Sequence, residues 1–197
     1  MMGKYSYLKF VVIALAIGFG FSAIALETPK AQLQDTMERV MAITRTFRSE
    51  KDFTDNKARL KQIVLPRFDF TEMARGSLGD HWAAVQGKEK EFVAAFVQFA
   101  ESSYMNALGS YRGEKITYGR EQVDKNLAEV ETHVLGSSGE TPIIYKLHLV
   151  GDQWKVYDVI IDQVSLVSNY QSQFGRILKT ASIDELMRRM REKGTQS

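Results

Sequence analysis

The amino-acid sequence predicts an α+β fold, a curved four-stranded antiparallel sheet packed against several helices. Three observations carry that expectation. Four stretches between residues 115 and 161 alternate apolar with polar residues and are separated by short turns. On both sides of them, apolar residues recur at spacings of three and four. The composition, 44% hydrophobic and 25% charged over 197 residues, suits one ordinary core and excludes a disordered chain.

The first residues read as an address rather than as part of that fold. Lys4 and Lys9 form a basic start, Phe10 to Phe21 an apolar run, and Ser22-Ala23-Ile24-Ala25 an Ala-x-Ala cleavage pattern. This is the three-part layout of a secretory signal peptide spanning residues 1–25. The run is shorter than the roughly 20 apolar residues of a spanning helix, so an uncleaved membrane anchor is the competing reading. No cysteine follows it, which excludes a lipid-modified anchor. The expectation is an exported chain, residues 26–197, in a bacterial periplasm.

The remaining elements follow in order. Thr28-Pro29 places a capping hydroxyl before a proline at the first helical position. Leu33, Met37, Val40, Met41, Thr44 and Phe47 then repeat at helical spacing. A second helix is expected from near Thr54, carrying Leu60, Ile63 and Val64 and ended by Pro66. Asp69 and Glu72 pattern as a capping box for a short third helix through Met73. Gly76, Gly79 and Gly87 then break up the segment around Trp82. Lys88 to Ser110 has the strongest helical pattern, with Phe92, Phe96, Phe99, Ala100, Tyr104 and Leu108 in one stripe that continues to Tyr111. Such a stripe reads first as core, and alternatively as the wall of an apolar cavity.

Strands are expected at Lys115–Val123, Leu127–Leu135, Thr141–Val150 and Gln153–Ile161. In the third, Ile143, Tyr145, Leu147 and Leu149 point one way, and Lys146 and His148 the other. Gly136 to Gly139 and Gly151-Asp152 supply turns short enough for a meander. Helical spacing resumes near Asn169 with Tyr170, Phe174, Ile177 and Leu178. Ser182 to Glu185 is a further capping box, opening a last helix with Leu186, Met187 and Met190. No internal repeat or linker marks a second domain, so residues 26–197 are expected to form one.

The search for chemistry returns mostly exclusions. The absence of cysteine removes disulfides, thiol catalysis and Cys-ligated zinc. His81, His133 and His148 lack the helical spacing of a zinc motif, and no Gly-x-Ser-x-Gly elbow exists. Gly109-Ser110-Tyr111-Arg112-Gly113 lacks the strand–loop–helix setting of a phosphate cradle. The net charge of +2 is too small for a nucleic-acid binder and rests on Lys4 and Lys9, so the mature region is balanced. Ser165 reads as a local hydrogen-bonding group at a strand-to-helix junction. Asp158 alternates with Trp154, Val156 and Ile160, which would put a carboxylate on an apolar face. On a straight strand it would lie about 13 Å from Asp162, outside the range of paired glycosidase carboxylates. A buried acid is more often paired structurally than catalytic. An apolar cavity between the sheet and the aromatic helix would suit a water-insoluble ligand, and composition does not separate it from a filled core.

Several segments resemble one family. Trp154-Lys155-Val156-Tyr157-Asp158-Val159-Ile160-Ile161, then Val164-Ser165-Leu166-Val167-Ser168-Asn169-Tyr170 and Gln173-Phe174, look like the hallmark of the MlaC family. That family is also described as the toluene-tolerance auxiliary or periplasmic phospholipid-binding family. Phe68-Asp69-Phe70-Thr71-Glu72-Met73-Ala74 and the stretch from Phe92 to Tyr104 are similar to its other motifs. The resemblance runs from about Pro29 to Arg191 and departs at Gln163, where a glycine is expected, and at Gln171, where an arginine is expected.

The resemblance implies an apolar pocket that takes phospholipid acyl chains while the headgroup stays at its mouth. It implies a carrier moving lipid between an outer-membrane lipoprotein–porin complex and an inner-membrane ABC transporter bearing an MCE-domain ring, in support of outer-membrane lipid asymmetry. No catalytic residue, metal or cofactor is implied. Each buried methylene contributes about 0.8 kcal/mol, so long chains bind tightly without directional contacts. From facing, and consistent with the family, the expected lipid-binding residues are Phe92, Phe96, Phe99 and Tyr104 of the long helix. Tyr145, Leu147, Val156 and Ile160 join them from the sheet. The alternatives are a carrier of another lipid such as a hopanoid, a small periplasmic hydrolase or isomerase using Asp158, and an interaction module with a filled core.

Overall fold

A computed structural model describes residues 26–109, 114–136 and 139–195, with side chains of the long helix described up to Ser102. The expected signal peptide lies outside the described residues. Helices α1 (Pro29–Thr44) and α2 (Glu50–Val64) lead through a 3-10 turn at Leu65–Arg67 into α3 (Phe70–Leu78). A second 3-10 segment, Gly79–Val85, precedes α4 (Glu89–Gly109). The strands are β1 (Lys115–Asp124), β2 (Leu127–Gly136), β3 (Gly139–Val150), β4 (Gln153–Ile161) and β5 (Val164–Ser165). Helices α5 (Leu166–Leu178) and α6 (Ile183–Thr195) complete the chain. The sheet is an antiparallel meander in the order β1-β2-β3-β4-β5.

The α+β class and the four expected strands are present, and β5 is an addition. It exists because Asp162 and Gln163 both take positive φ, 47° and 67°. That is the backbone of a two-residue hairpin turn, which returns Val164 and Ser165 against Ile161 and Ile160. Gln163 thus adopts the conformation a glycine would favour at the first departure from the family pattern.

Local hydrogen bonds explain where the helices start. Thr28 accepts from the Ala31 amide at 3.1 Å, as its capping role requires. The Lys30 amide is taken by Glu121 Oε1 of β1 at 2.7 Å, which ties the start of α1 to the sheet edge. Helix α2 begins at Glu50 rather than near Thr54, because Ser49 and Asp52 form a reciprocal capping box. Helix α3 runs past Met73 to Leu78, with Gly76 in mid-helix where a Cβ would lie 2.7 Å from Val167 Cγ1 of α5. A glycine here lets the two helices approach closely. Helix α5 starts at Leu166, earlier than near Asn169, because Ser165 Oγ accepts from the Ser168 amide.

The buried apolar residues form three clusters. The largest joins α3, α4, α5 and α6 through Phe92, Phe96, Phe99, Tyr170, Phe174, Leu186 and Met187, among others. A second gathers Leu33 of α1 with Ala128, Val130, Tyr145, Leu147, Trp154, Val156 and Val159 of the sheet. A small third cluster holds α1 and α2 together around Val40, Ile43, Phe53 and Leu60. Phe68 packs on both of the first two, where it forms a parallel bridge to Val156 and the Asp69 amide donates to Val156 O at 2.8 Å.

Candidate functional site

The sheet has one face turned to α1 and one turned away, and cross-strand register decides which residue is on which. On the α1 side the rows are Ala128–Leu147–Val156, Val130–Tyr145–Val159, Thr132–Ile143–Ile161 and Ile116–Val134–Thr141. Two bulges shape these rows. One lies between Tyr118 and Glu121 of β1, and the other at Tyr157, where β3 passes from Lys146 to Leu147 as β4 passes from Asp158 to Val156. An extra residue in one strand bends the sheet and inverts the alternation beyond it.

The second bulge corrects the expected facing of Asp158 and Ile160. Val159 and Ile161 share the inner face with Trp154 and Val156, whereas Asp158 and Ile160 point to the opposite face, across from Lys146 and Ile144. Uninterrupted alternation was the wrong premise, because the extra residue at Tyr157 has no signature in apolar spacing.

The eight expected lipid-binding residues therefore divide. Phe92, Phe96 and Phe99 lie in the helical cluster, with Phe92 edge-on to Trp82 at 6.3 Å and Phe96 edge-on to Tyr170 at 5.8 Å. Phe174 meets all three rings at 6.3–6.4 Å. Tyr145, Leu147 and Val156 lie together in the sheet cluster. Ile160 is half-buried on the other face. The Tyr104 side chain is outside the described residues.

Coverage of the inner face changes along the strands. Leu147 and Val156 are fully buried in one cluster with Leu33 of α1 and their neighbour Trp154. Beyond Tyr145 the same face continues as Ile143, Ile161, Ile116 and Val134, all half-buried, as is Met37 on α1. Burial pushes the Tyr145 hydroxyl well above the usual tyrosine range, and the Thr132 hydroxyl bonds to it. Burial also raises Tyr118, to about 12, with a further push from the Glu38 carboxylate of α1.

Asp158 has a structural setting. Its Oδ1 accepts from the Val159 amide at 2.8 Å and the Val167 amide at 3.1 Å, and its Oδ2 from Ser165 Oγ at 2.7 Å. The carboxylate holds the β4–β5 turn to the first turn of α5, and Ser165 has the junction role its position suggests. His148 Nε2 lies 3.0 Å from Asp69 Oδ2, and His133 lies between Glu131 and Glu140. Among the described residues no three His, Cys, Asp or Glu side chains are grouped to hold a metal.

Sequence reasoning passed over Arg67. Its guanidinium donates to Thr36 Oγ1, Gln32 Oε1 and Trp154 O at 2.8–3.0 Å, fastening α1 to β4. Gln32 adds bonds to the Trp154 amide and to Asp152 O. These partners lie tens of residues away, so no local pattern announces them. The groove between α1 and α2, about 420 Å³, is lined by Arg39, Asn56, Arg59 and Gln62 as well as apolar groups. Its polar wall suits an acyl chain poorly. Among the described residues no helix is long and apolar enough to cross a membrane.

Comparison with known proteins adds an independent line. The family model described as MlaC protein matches residues 34–192. The intermembrane phospholipid transport system binding protein MlaC of Haemophilus influenzae is 23% identical over 201 aligned positions, covering 98% of this chain and 93% of that protein. The toluene tolerance protein ttg2D of Pseudomonas putida is 24% identical and covers 86% of this chain and 81% of its own length. A phospholipid-binding protein from Ralstonia solanacearum, solved in complex with a phospholipid, superposes with a TM-score of 0.76 at 20% identity. That match covers 86% of this chain and 98% of the other.

Proposed function

This chain belongs to the MlaC family, and on that premise we propose that it is a periplasmic phospholipid carrier whose acyl-chain site is the inner face of the sheet. The observation that carries the placement is the run from buried Tyr145 to half-buried Ile143, Ile161, Ile116 and Val134. A filled core has no need of such a face, whereas chain methylenes laid on it gain about 0.8 kcal/mol each on leaving water. Tyr145, Leu147 and Val156 form the closed end of the site. Phe92, Phe96 and Phe99 are assigned to packing between helices, and Ile160 to the opposite face of the sheet.

The rest of the reading is supported by family membership and by the names of the relatives. Residues 1–25 direct export and are removed, leaving residues 26–197 as one lipid-binding domain. The carrier exchanges its cargo with an inner-membrane ABC transporter complex bearing an MCE-domain ring and with an outer-membrane lipoprotein–porin complex. Its role is to maintain outer-membrane lipid asymmetry, and it performs no chemistry on the lipid. The hydrolase reading loses its residue, since both Asp158 oxygens are occupied by donors of the β4–α5 junction.

Native mass spectrometry of the purified chain, with extraction of the bound molecule, tests the carrier reading. A phospholipid mass is expected, a hopanoid mass would select the other-lipid reading, and an empty chain would sink both. Ile143→Glu tests the placement. It should abolish loading while far-ultraviolet circular dichroism stays unchanged, and full loading in a folded variant would refute the site.

A further inference from the structure

The inner face holds a polar atom that the fold does not use. The Tyr118 hydroxyl is buried and has no hydrogen-bond partner. Tyr118 pairs across β1–β2 with Thr132, and Thr132 pairs with Ile143, so its ring stands on the half-buried apolar run described above. Its neighbours have already spent their hydroxyls on one another. Tyr145 bonds to Thr132, and Thr132 Oγ1 lies 3.4 Å from Ile143 O. A buried hydroxyl with no acceptor is rare, because its desolvation goes uncompensated. Phenylalanine at this position would fill the same space without that cost.

Resting on the carrier reading, we infer that Tyr118 is a hydrogen-bond donor to the ester carbonyl that joins an acyl chain to the glycerol of the bound lipid. The carbonyl is favoured over the phosphate by charge. The charged group acting on Tyr118 is the Glu38 carboxylate, which disfavours a second negative charge beside it. A neutral acceptor is tolerated there and an anion is repelled. The ester also lies where chain meets headgroup. A donor standing on the half-buried run would hold the ester while the chain lies along Ile143, Ile116 and Val134. Apolar burial fixes no depth by itself, so one directional contact would set how far the molecule enters.

The test compares two lipids differing only in that carbonyl, a diacyl phosphatidylglycerol and its dialkyl ether analogue of equal chain length. Delipidated chain is offered both in equimolar mixture, and the bound ratio is read by native mass spectrometry. The wild-type chain should prefer the ester by about 5-fold, the range of one net hydrogen bond. Tyr118→Phe should bring the ratio to near parity while still loading lipid and melting no lower than wild type when empty. An unchanged ester preference in Tyr118→Phe overturns the assignment, as does a wild-type chain indifferent to the two lipids. If the wild-type chain takes up neither lipid, the carrier reading fails and this assignment falls with it.

Discussion

The helical cluster and the sheet cluster are built from similar apolar residues, yet they are closed to different degrees. Phe92 and Phe96 are 0% exposed, enclosed by Trp82, Tyr170 and Phe174 in edge-to-face and stacked arrangements. Rings four residues apart on α4 meet rings four apart on α5, so each helix fills the other's gaps. The sheet offers flatter β-branched residues on a bent surface. Leu33 of α1 packs against one end of it, while Ile143, Ile161 and Val134 remain half-buried. One region stabilises the fold by being full, and the other, which the fold leaves half-covered, is the one we propose for the ligand. That contrast is open to experiment from both sides.

The largest effect is expected in the full region. Phe96→Ala should lower stability by about 3–5 kcal/mol, the cost of emptying a well-packed aromatic site. The midpoint of chemical denaturation measures it, and the surviving folded molecules should carry as much lipid as wild type. A loss near zero would mean that the ring lines a space already open.

The junction between the regions comes next. Asp158→Asn keeps the shape but supplies one carbonyl oxygen where the carboxylate engages Val159, Val167 and Ser165. Leaving one of these buried donors unmatched should cost about 1–3 kcal/mol. Hydrogen exchange should report it as faster opening of the Val167 and Ser168 amides, and unchanged protection there would refute the junction role. In the open region the balance reverses. Val134→Ala should cost about 1 kcal/mol or less, since the side chain is only partly removed from water, yet it should reduce lipid retention in competition with vesicles. Retention equal to wild type would place the chains elsewhere.

What was legible in the sequence follows the same division. The helix and strand elements were readable because each is written in local terms, such as Thr28 before Pro29 or the alternation from Ile143 to Leu149. Burial of Tyr145, Leu147 and Val156 on one face followed from period two. Ile160 and Asp158 were misplaced because a bulge is a relation between two strands, and the extra residue in β4 is visible only once Lys146 is paired with Asp158. The aromatic stripe of α4 posed a different problem. Spacing shows that Phe92, Phe96 and Phe99 share a helix face, but which neighbour meets that face is a long-range fact. Arg67 was invisible for the same reason, since its partners sit on α1 and β4.

The smallest expected effect is a pH dependence, and it too separates the two regions. In the sheet, burial raises Tyr118 to about 12, with Glu38 adding to the shift, and burial pushes Tyr145 higher still. An unfolded tyrosine titrates near 10. The folded values lie above the unfolded one, so the fold favours the neutral hydroxyls. Their contribution is complete below about pH 10 and is lost as pH rises from about 10 toward 12, where the unfolded chain releases protons that the folded chain keeps. Tyr118 as a whole is only half-buried, although its hydroxyl is covered, so its share is discounted and the decline should be shallow. Denaturation midpoints across this range should fall in the wild-type chain, and the fall should flatten in the Tyr118→Phe, Tyr145→Phe double variant. An alkaline decline of equal slope in the double variant would assign it to other groups, among them Tyr157 of β4, which burial also raises.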